Sequence, residues 1–249
     1  MKKYEETVNK YRMIYDHHTH TVYSHGKGTI EDNVRVASEK GLSSIAITDH
    51  GPGHLTYGIK MEKLPEMRAE IDRLKSVYPD IEVLLGVEAN TLRVPPYLDV
   101  EDTDLFDILL AGYHFGILKA GMIPNYISNH TGVFRGDSST LMVKNTDMIL
   151  NALYNNKIDI LTHPGDKGPF DISDICRACE DTKTMVEINA KHDHLTVDEI
   201  KIAAKFDIKF SCYLYAHVPE KVGEFRQPLM RALEAGLDPE RIVNIEKKG

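Results

Sequence analysis

Seven short apolar runs alternate along this chain with segments of helical period, and six of the seven end on a histidine or a glutamate. That rhythm constrains the fold more than any other feature. The first run leads into Asp16-His17-His18-Thr19-His20, the second (44–48) into Asp49-His50, and the third (81–87) into Glu88. A fourth (105–111) delivers His114, a fifth (158–161) His163, a sixth (185–188) Asn189, and a seventh (208–214) His217. Between them the spacing predicts helices over 29–40, 64–78, 140–155, 172–181 and 197–206, with a closing helix over 223–235. Ile30, Val34 and Ala37 recur at helical spacing in the first, which Gly41 can terminate; Pro79 stops the second. Residues 115–139 show little periodicity and read as a long loop that covers or lines a site.

Strands separated by helices or loops argue for parallel crossovers, which close as a barrel or stay open. Polar residues at the C-terminal ends of several strands favour the barrel, and no GxGxxG opens the first helix as an open dinucleotide-binding sheet requires. A chain of 249 residues with 42% hydrophobic and 27% charged residues and no linker-like run fits one domain spanning 1–249. A net charge of −8 and a pI near 5.8 disfavour nucleic acid as a partner, although a local basic cluster could hold a phosphate. Without a signal-like start or an apolar stretch of about 20 residues, a cytoplasmic protein away from the membrane is the default expectation. Cys176, Cys179 and Cys212 are too few and too unevenly placed for a disulfide framework, so reduced structural thiols are expected.

Strand alternation turns Asp16, His18 and His20 to one face, with the two imidazoles about 6 Å apart along the strand. His17 faces the other way. Twelve histidines are many for this chain, and their joint placement at strand ends points to a metal site. His54, His130, His192 and His194 fall in loops and read as solvated or substrate-facing. Glu88 could simply be a solvated strand end, but a carboxylate can also bridge two cations about 3.5–4 Å apart, which a single imidazole nitrogen cannot do.

Taken in order, Asp16-x-His18-x-His20-Thr21, Ser24-His25-Gly26, Ile47-Thr48-Asp49-His50-Gly51-Pro52, Gly86-Val87-Glu88, Gly112-Tyr113-His114, Thr162-His163-Pro164-Gly165 and Ala216-His217-x-Pro219-x-x-Val222-Gly223 resemble the PHP family of metal-dependent phosphoesterases (polymerase and histidinol phosphatase). The resemblance implies an α/β fold, a distorted (β/α)7 TIM-like barrel with two or three divalent metal ions (zinc, manganese or iron). It implies a first metal on His18 and His20, with Glu88 bridging to a second on His114 and His163, and a third on His25, His50 and His217. Glu88, His18 and His20 are then the catalytic centre.

One departure stands out: the family's Ser-Asp-Ala-His reads Leu214-Tyr215-Ala216-His217 here, so Tyr215 replaces a carboxylate of the first metal. Three readings follow: a phenolate ligand, a weaker shell completed by water or by another residue such as Asp16, or lost activity; the second is preferred. The implied reaction is hydrolysis of a small phosphorylated substrate, with Lys27, Arg135 and Lys167 as candidate phosphate clamps. The alternatives are an amidohydrolase-like metal hydrolase, and a metal-binding regulatory module weakened by Tyr215.

Overall fold

The computed structural model describes residues 2–117, 122–131, 138–189, 191, 194–214 and 216–249. After helix α1 (Lys2–Val8) and strand β1 (Tyr11–Met13) come seven parallel strands: β2 (Tyr15–Thr19), β3 (Ser44–Ile47), β4 (Glu82–Asn90), β5 (Ile108–Gly112), β6 (Ile160–Leu161), β7 (Met185–Asn189) and β8 (Phe210–Tyr213). They pair strictly in chain order, each with the next. The crossover helices are α2 (Ile30–Glu39), α3 (Leu64–Val77), α5 (Ser138–Asn155), α6 (Ile172–Thr182) and α7 (Val197–Ala203), with α4 (Met122–Thr131) before α5 and α8 (Arg226–Glu234) after β8. The expected α/β barrel is present, nearly closed by seven strands.

Local chemistry accounts for the helices. Thr29 caps α2 in a reciprocal capping box with Asp32, and Ile30, Val34 and Ala37 bury the face read from the spacing. In α3, Leu64, Met67, Ile71 and Leu74 form the buried stripe. Cys176 and Cys179 are free and buried on α6. No helix among the described residues is long and apolar enough to cross a membrane.

Closure between β8 and β2 takes two forms. On the upper side, Ala216 forms a parallel bridge with Thr19 and accepts a hydrogen bond from His20 N at 3.0 Å. Lower down, residues 242–244 fill the gap. Val243 N donates to Phe210 O at 2.9 Å, and the buried Asn244 side chain bonds both Cys212 N and Cys212 O at 2.9 Å. On its other side the Asn244 carbonyl accepts from Ile14 N at 2.9 Å. The next residues form β9 (Ile245–Lys247), antiparallel to β1. A side-chain amide thus substitutes for one rung of a missing eighth strand, satisfying backbone groups that would otherwise be buried unpaired.

The loop expected over 115–139 is corrected in its described part, while residues 118–121 and 132–137 lie outside the described residues. Helix α4 occupies 122–131 and α5 begins at Ser138. Periodicity missed α4 because its inner face is polar: Asn125 donates to Asn145 Oδ1 at 2.8 Å, and Asn129 donates to Tyr113 Oη at 3.1 Å. The buried Asn145 in turn donates to Asn129 Oδ1 at 3.0 Å and to Pro169 O at 3.1 Å. Asn244→Leu keeps the volume but strips two hydrogen bonds from β8, and is expected to cost about 2–4 kcal/mol of stability, read by urea denaturation.

Candidate metal centre

Strand β4 runs two residues past Glu88, so this carboxylate sits inside the barrel rather than at its rim. His50 pairs with it as an isolated parallel bridge extending β3. Five imidazole nitrogens surround the buried carboxylate: His18 Nε2 at 3.3 Å, His20 Nε2 at 3.5 Å, His50 Nδ1 at 3.0 Å, His114 Nε2 at 3.2 Å and His163 Nε2 at 3.0 Å. His114 Nε2 and His163 Nε2 are 3.1 Å apart. His25 and His217 face one another through Nε2, and the His25 ring lies 4.8 Å from that of His50. All eight expected ligands therefore gather in one place.

The donor set fits divalent cations. In a tetrahedral shell of radius about 2.0–2.1 Å, neighbouring ligand atoms stand about 3.3–3.4 Å apart, close to the separations around Glu88. Glu88 Oε2 accepts no aligned hydrogen bond although it lies between His50 and His20, an arrangement suited to atoms that share an ion. Among the described residues, three groups have ligand atoms within 4.8 Å of one another: His18, His20 and Glu88; His20, His25 and His50; and His50, Glu88 and His114. His50 thus also approaches the centre expected for His114.

Electrostatics follow from burial. Burial raises Glu88, but the imidazoles of His114, His18 and His50 outweigh it and hold the carboxylate well below its usual range. Burial, reinforced by the neighbouring His50, keeps His20 far below the usual histidine range and His25 at about 3. Burial likewise outweighs Glu88 at His114, holding it well below that range. Neutral imidazole is the form that binds metal. Burial also opposes charge on His18, yet Glu187 and Glu88 overcome it and lift that ring to about 10, so the site favours positive charge there.

Several positioning groups were not assigned a role from sequence. The buried Glu187 on β7 accepts from His18 Nδ1 at 2.7 Å and from His163 N at 2.7 Å, which turns His18 Nε2 toward Glu88. The sequence signal was an acidic residue between Val186 and Ile188 in an apolar run, where only a partnered charge is tolerated. Asp49 accepts from Thr21 N at 2.7 Å and from Thr21 Oγ1 and Ser24 Oγ at 2.5 Å, fastening the loop that carries His25. Lys191, another omission, contacts His217 Nδ1 at 3.2 Å. Gly112 has no room for a Cβ, which would meet Thr162 and the rings of His163 and His114. His163 itself has φ +30°, a strained backbone of the kind found where function fixes a side chain.

His17 faces away, 2.9 Å from Ser44 Oγ and stacked on Tyr15. Asp16 is buried and engaged by His18 N and Gly223 N, a structural task rather than membership of the three groups. Lys27 is exposed and ties its backbone N to His217 O at 2.8 Å, while Lys167 has φ +64° and pairs with Asp166 at 2.8 Å. His54 accepts from Thr56 N and Tyr57 N through Nδ1, and His194 pairs with Glu199 at 3.0 Å. Tyr215, Arg135 and the side chains of His130 and His192 lie outside the described residues.

A family profile described as PHP domain matches residues 16–172. A protein of Thermoanaerobacter sp. named probable phosphatase is 28% identical over 94% of this chain and 91% of its own length. One of Shewanella baltica with the same description is 32% identical over 70% of this chain and 61% of its own length. A histidinol phosphate phosphatase of Lactococcus lactis, solved with zinc, L-histidinol and phosphate, superposes with TM-score 0.64 at 16% identity, over 91% of this chain and 95% of that one. That likeness is one of fold.

Replacing Glu187 with alanine is expected to weaken binding of the cation nearest His18 by about 10- to 100-fold, read by titration with metal into chelator-stripped protein.

Proposed function

This chain belongs to the PHP domain family, and on that premise we propose that it is a metal-dependent phosphatase that hydrolyses a small phosphate monoester at a cluster of two or three divalent cations. The observation that carries the reading is the buried Glu88 carboxylate, met by five imidazole nitrogens at 3.0–3.5 Å. His18 and His20 would hold one cation and His114 and His163 a second, with Glu88 between them; His25, His50 and His217 would hold a third. His50 stands close enough to Glu88 and His114 to serve the second as well. An imidazole-rich shell suits zinc, manganese or iron. The relatives named probable phosphatase, and the fold shared with a histidinol phosphate phosphatase, support a small phosphorylated substrate.

Grouped divalent cations supply water acidified toward neutrality and neutralise charge on a phosphoryl group. The chain's own contribution is positional. Glu187 fixes the His18 ring through Nδ1, and Asp49 holds the His25 loop against the barrel mouth. Fixed groups need not reorganise as charge develops, which is the main source of electrostatic stabilisation in such sites. Lys167 and Lys27 would serve the phosphate oxygens as charge-assisted donors, with Arg135 a third candidate from the sequence.

Four measurements test the proposal. Metal analysis of the purified protein should find two or three divalent cations per chain. Chelation should abolish hydrolysis of an aryl phosphate, and adding back zinc, manganese or iron should restore it. Glu88→Gln should lower kcat/KM on the order of a thousandfold or more and lower the metal content, since it removes the carboxylate that would be shared between two sites. Undiminished activity after complete removal of metal would sink the reading, and turnover of amide bonds in place of phosphate esters would move the protein to another class of metal hydrolase. Saturating metal should also raise Tm, as expected when about 4 kcal/mol is added at a thousandfold excess over Kd.

A further inference from the structure

A 390 Å³ cleft opens beside the cluster, walled by His54, Leu55, Tyr57, Phe115, Ile117 and Ile123. Leu55 is 67% exposed, Ile123 46% and Tyr57 45%, so three large apolar side chains that water reaches meet at one place. Single exposed apolar residues are ordinary, but a group of them next to a polar centre marks a binding surface. The cleft is continuous with the rings of the candidate ligands: Tyr57 stacks on His25 at 4.7 Å, His54 on His50 at 5.7 Å, and Tyr57 on His54 at 4.9 Å.

The walls are also built in advance. Leu55 N donates to Gly116 O at 3.0 Å, and His54 and Ile117 form an antiparallel bridge, so the two loops are stitched together. Gly116 has φ +89°, and a Cβ there would stand 3.0 Å from the His54 ring; a larger residue would prise the loops apart. Thr56 N and Tyr57 N both donate to His54 Nδ1, at 3.3 and 3.1 Å, which fixes that ring as part of the wall.

We infer that this cleft receives the alcohol half of the substrate, and that this half is apolar and about the size of one ring. The inference rests on the phosphatase reading, which places the phosphoryl group on the cluster next door. A volume of 390 Å³ lies toward the small end of ligand sites, which span about 300–1,000 Å³. A polyol or sugar would set its hydroxyls against Leu55, Ile117 and Ile123 and leave them without partners, whereas a ring would cover apolar surface on both sides.

The test compares 2-phenylethyl phosphate with ethyl phosphate on the metal-loaded full chain. Both are esters of primary alcohols with similar leaving ability, so the ratio of their kcat/KM values reads the cleft and not the bond broken. The expected ratio is on the order of 10- to 100-fold in favour of the phenylethyl ester, from the area that a phenyl group would bury. Leu55→Asn and Ile123→Asn, at side chains exposed enough to spare the fold, should each lower that ratio several-fold. A ratio within about twofold of unity, or one that neither variant moves, would overturn the inference. If the loaded protein hydrolyses neither ester, the phosphatase reading fails, and binding of 2-phenylethanol followed by ligand-observed NMR decides the cleft separately. Binding that is lost in Leu55→Asn upholds an apolar ring site, and no binding removes it.

Discussion

A carboxylate buried among imidazoles organises this molecule. Glu88 lies within the barrel at no exposure, and five histidines, one on β2 and four on the segments that follow β2, β3, β5 and β6, converge on it. Burying a charge is tolerable only when opposite charge and directed contacts meet it. Burial holds His20 and His114 neutral, so the compensation best suited to the donor set is a cation shared among them. The remaining polar features of the mouth read as supports for that arrangement: Glu187 behind His18, Asp49 behind the His25 loop, and the absence of a side chain at Gly112 where His114 and His163 come together.

Much of this was legible in the sequence because it follows from alternation. A parallel barrel places chemistry at strand ends, and a chain whose apolar runs repeatedly end on His or Glu announces both the strands and the site. Seven of the eight candidate ligands could be named in this way, His25 following from the family resemblance, and all eight are close together. What alternation cannot register is a polar interior. Helix α4 buries asparagines against Tyr113 and Asn145, so its sequence carries no apolar period and reads as loop. Glu187 escaped for a related reason: its partner, His18, is 169 residues away, and only the folded chain brings them together. Closure of the barrel was equally hidden, because Asn244 contributes through its side chain and belongs to no strand pattern.

The mouth combines two opposite kinds of surface within a short distance. Imidazoles and a carboxylate occupy the centre, while Leu55, Tyr57 and Ile123 leave apolar surface open to water on one flank. The His50–His54–Tyr57 stack joins the two, so the rings that shape the flank also press on candidate ligands. Changes on the flank can therefore reach the centre through packing without touching a ligand.

The wedge formed by residues 242–244 also has a bearing on the order of assembly. Strand β2, which leads into His20, meets β3 early in the chain, but its opposite edge is completed only by Ala216 and by the segment around Asn244. A nascent chain could pair six of the seven strands with their successors and still leave that edge open. His25 and His217 would then have no means of meeting. Loading of the cluster would thus report that the two ends of the polypeptide have been sewn together, and the ion, once held, would act as the rivet that keeps the seam shut.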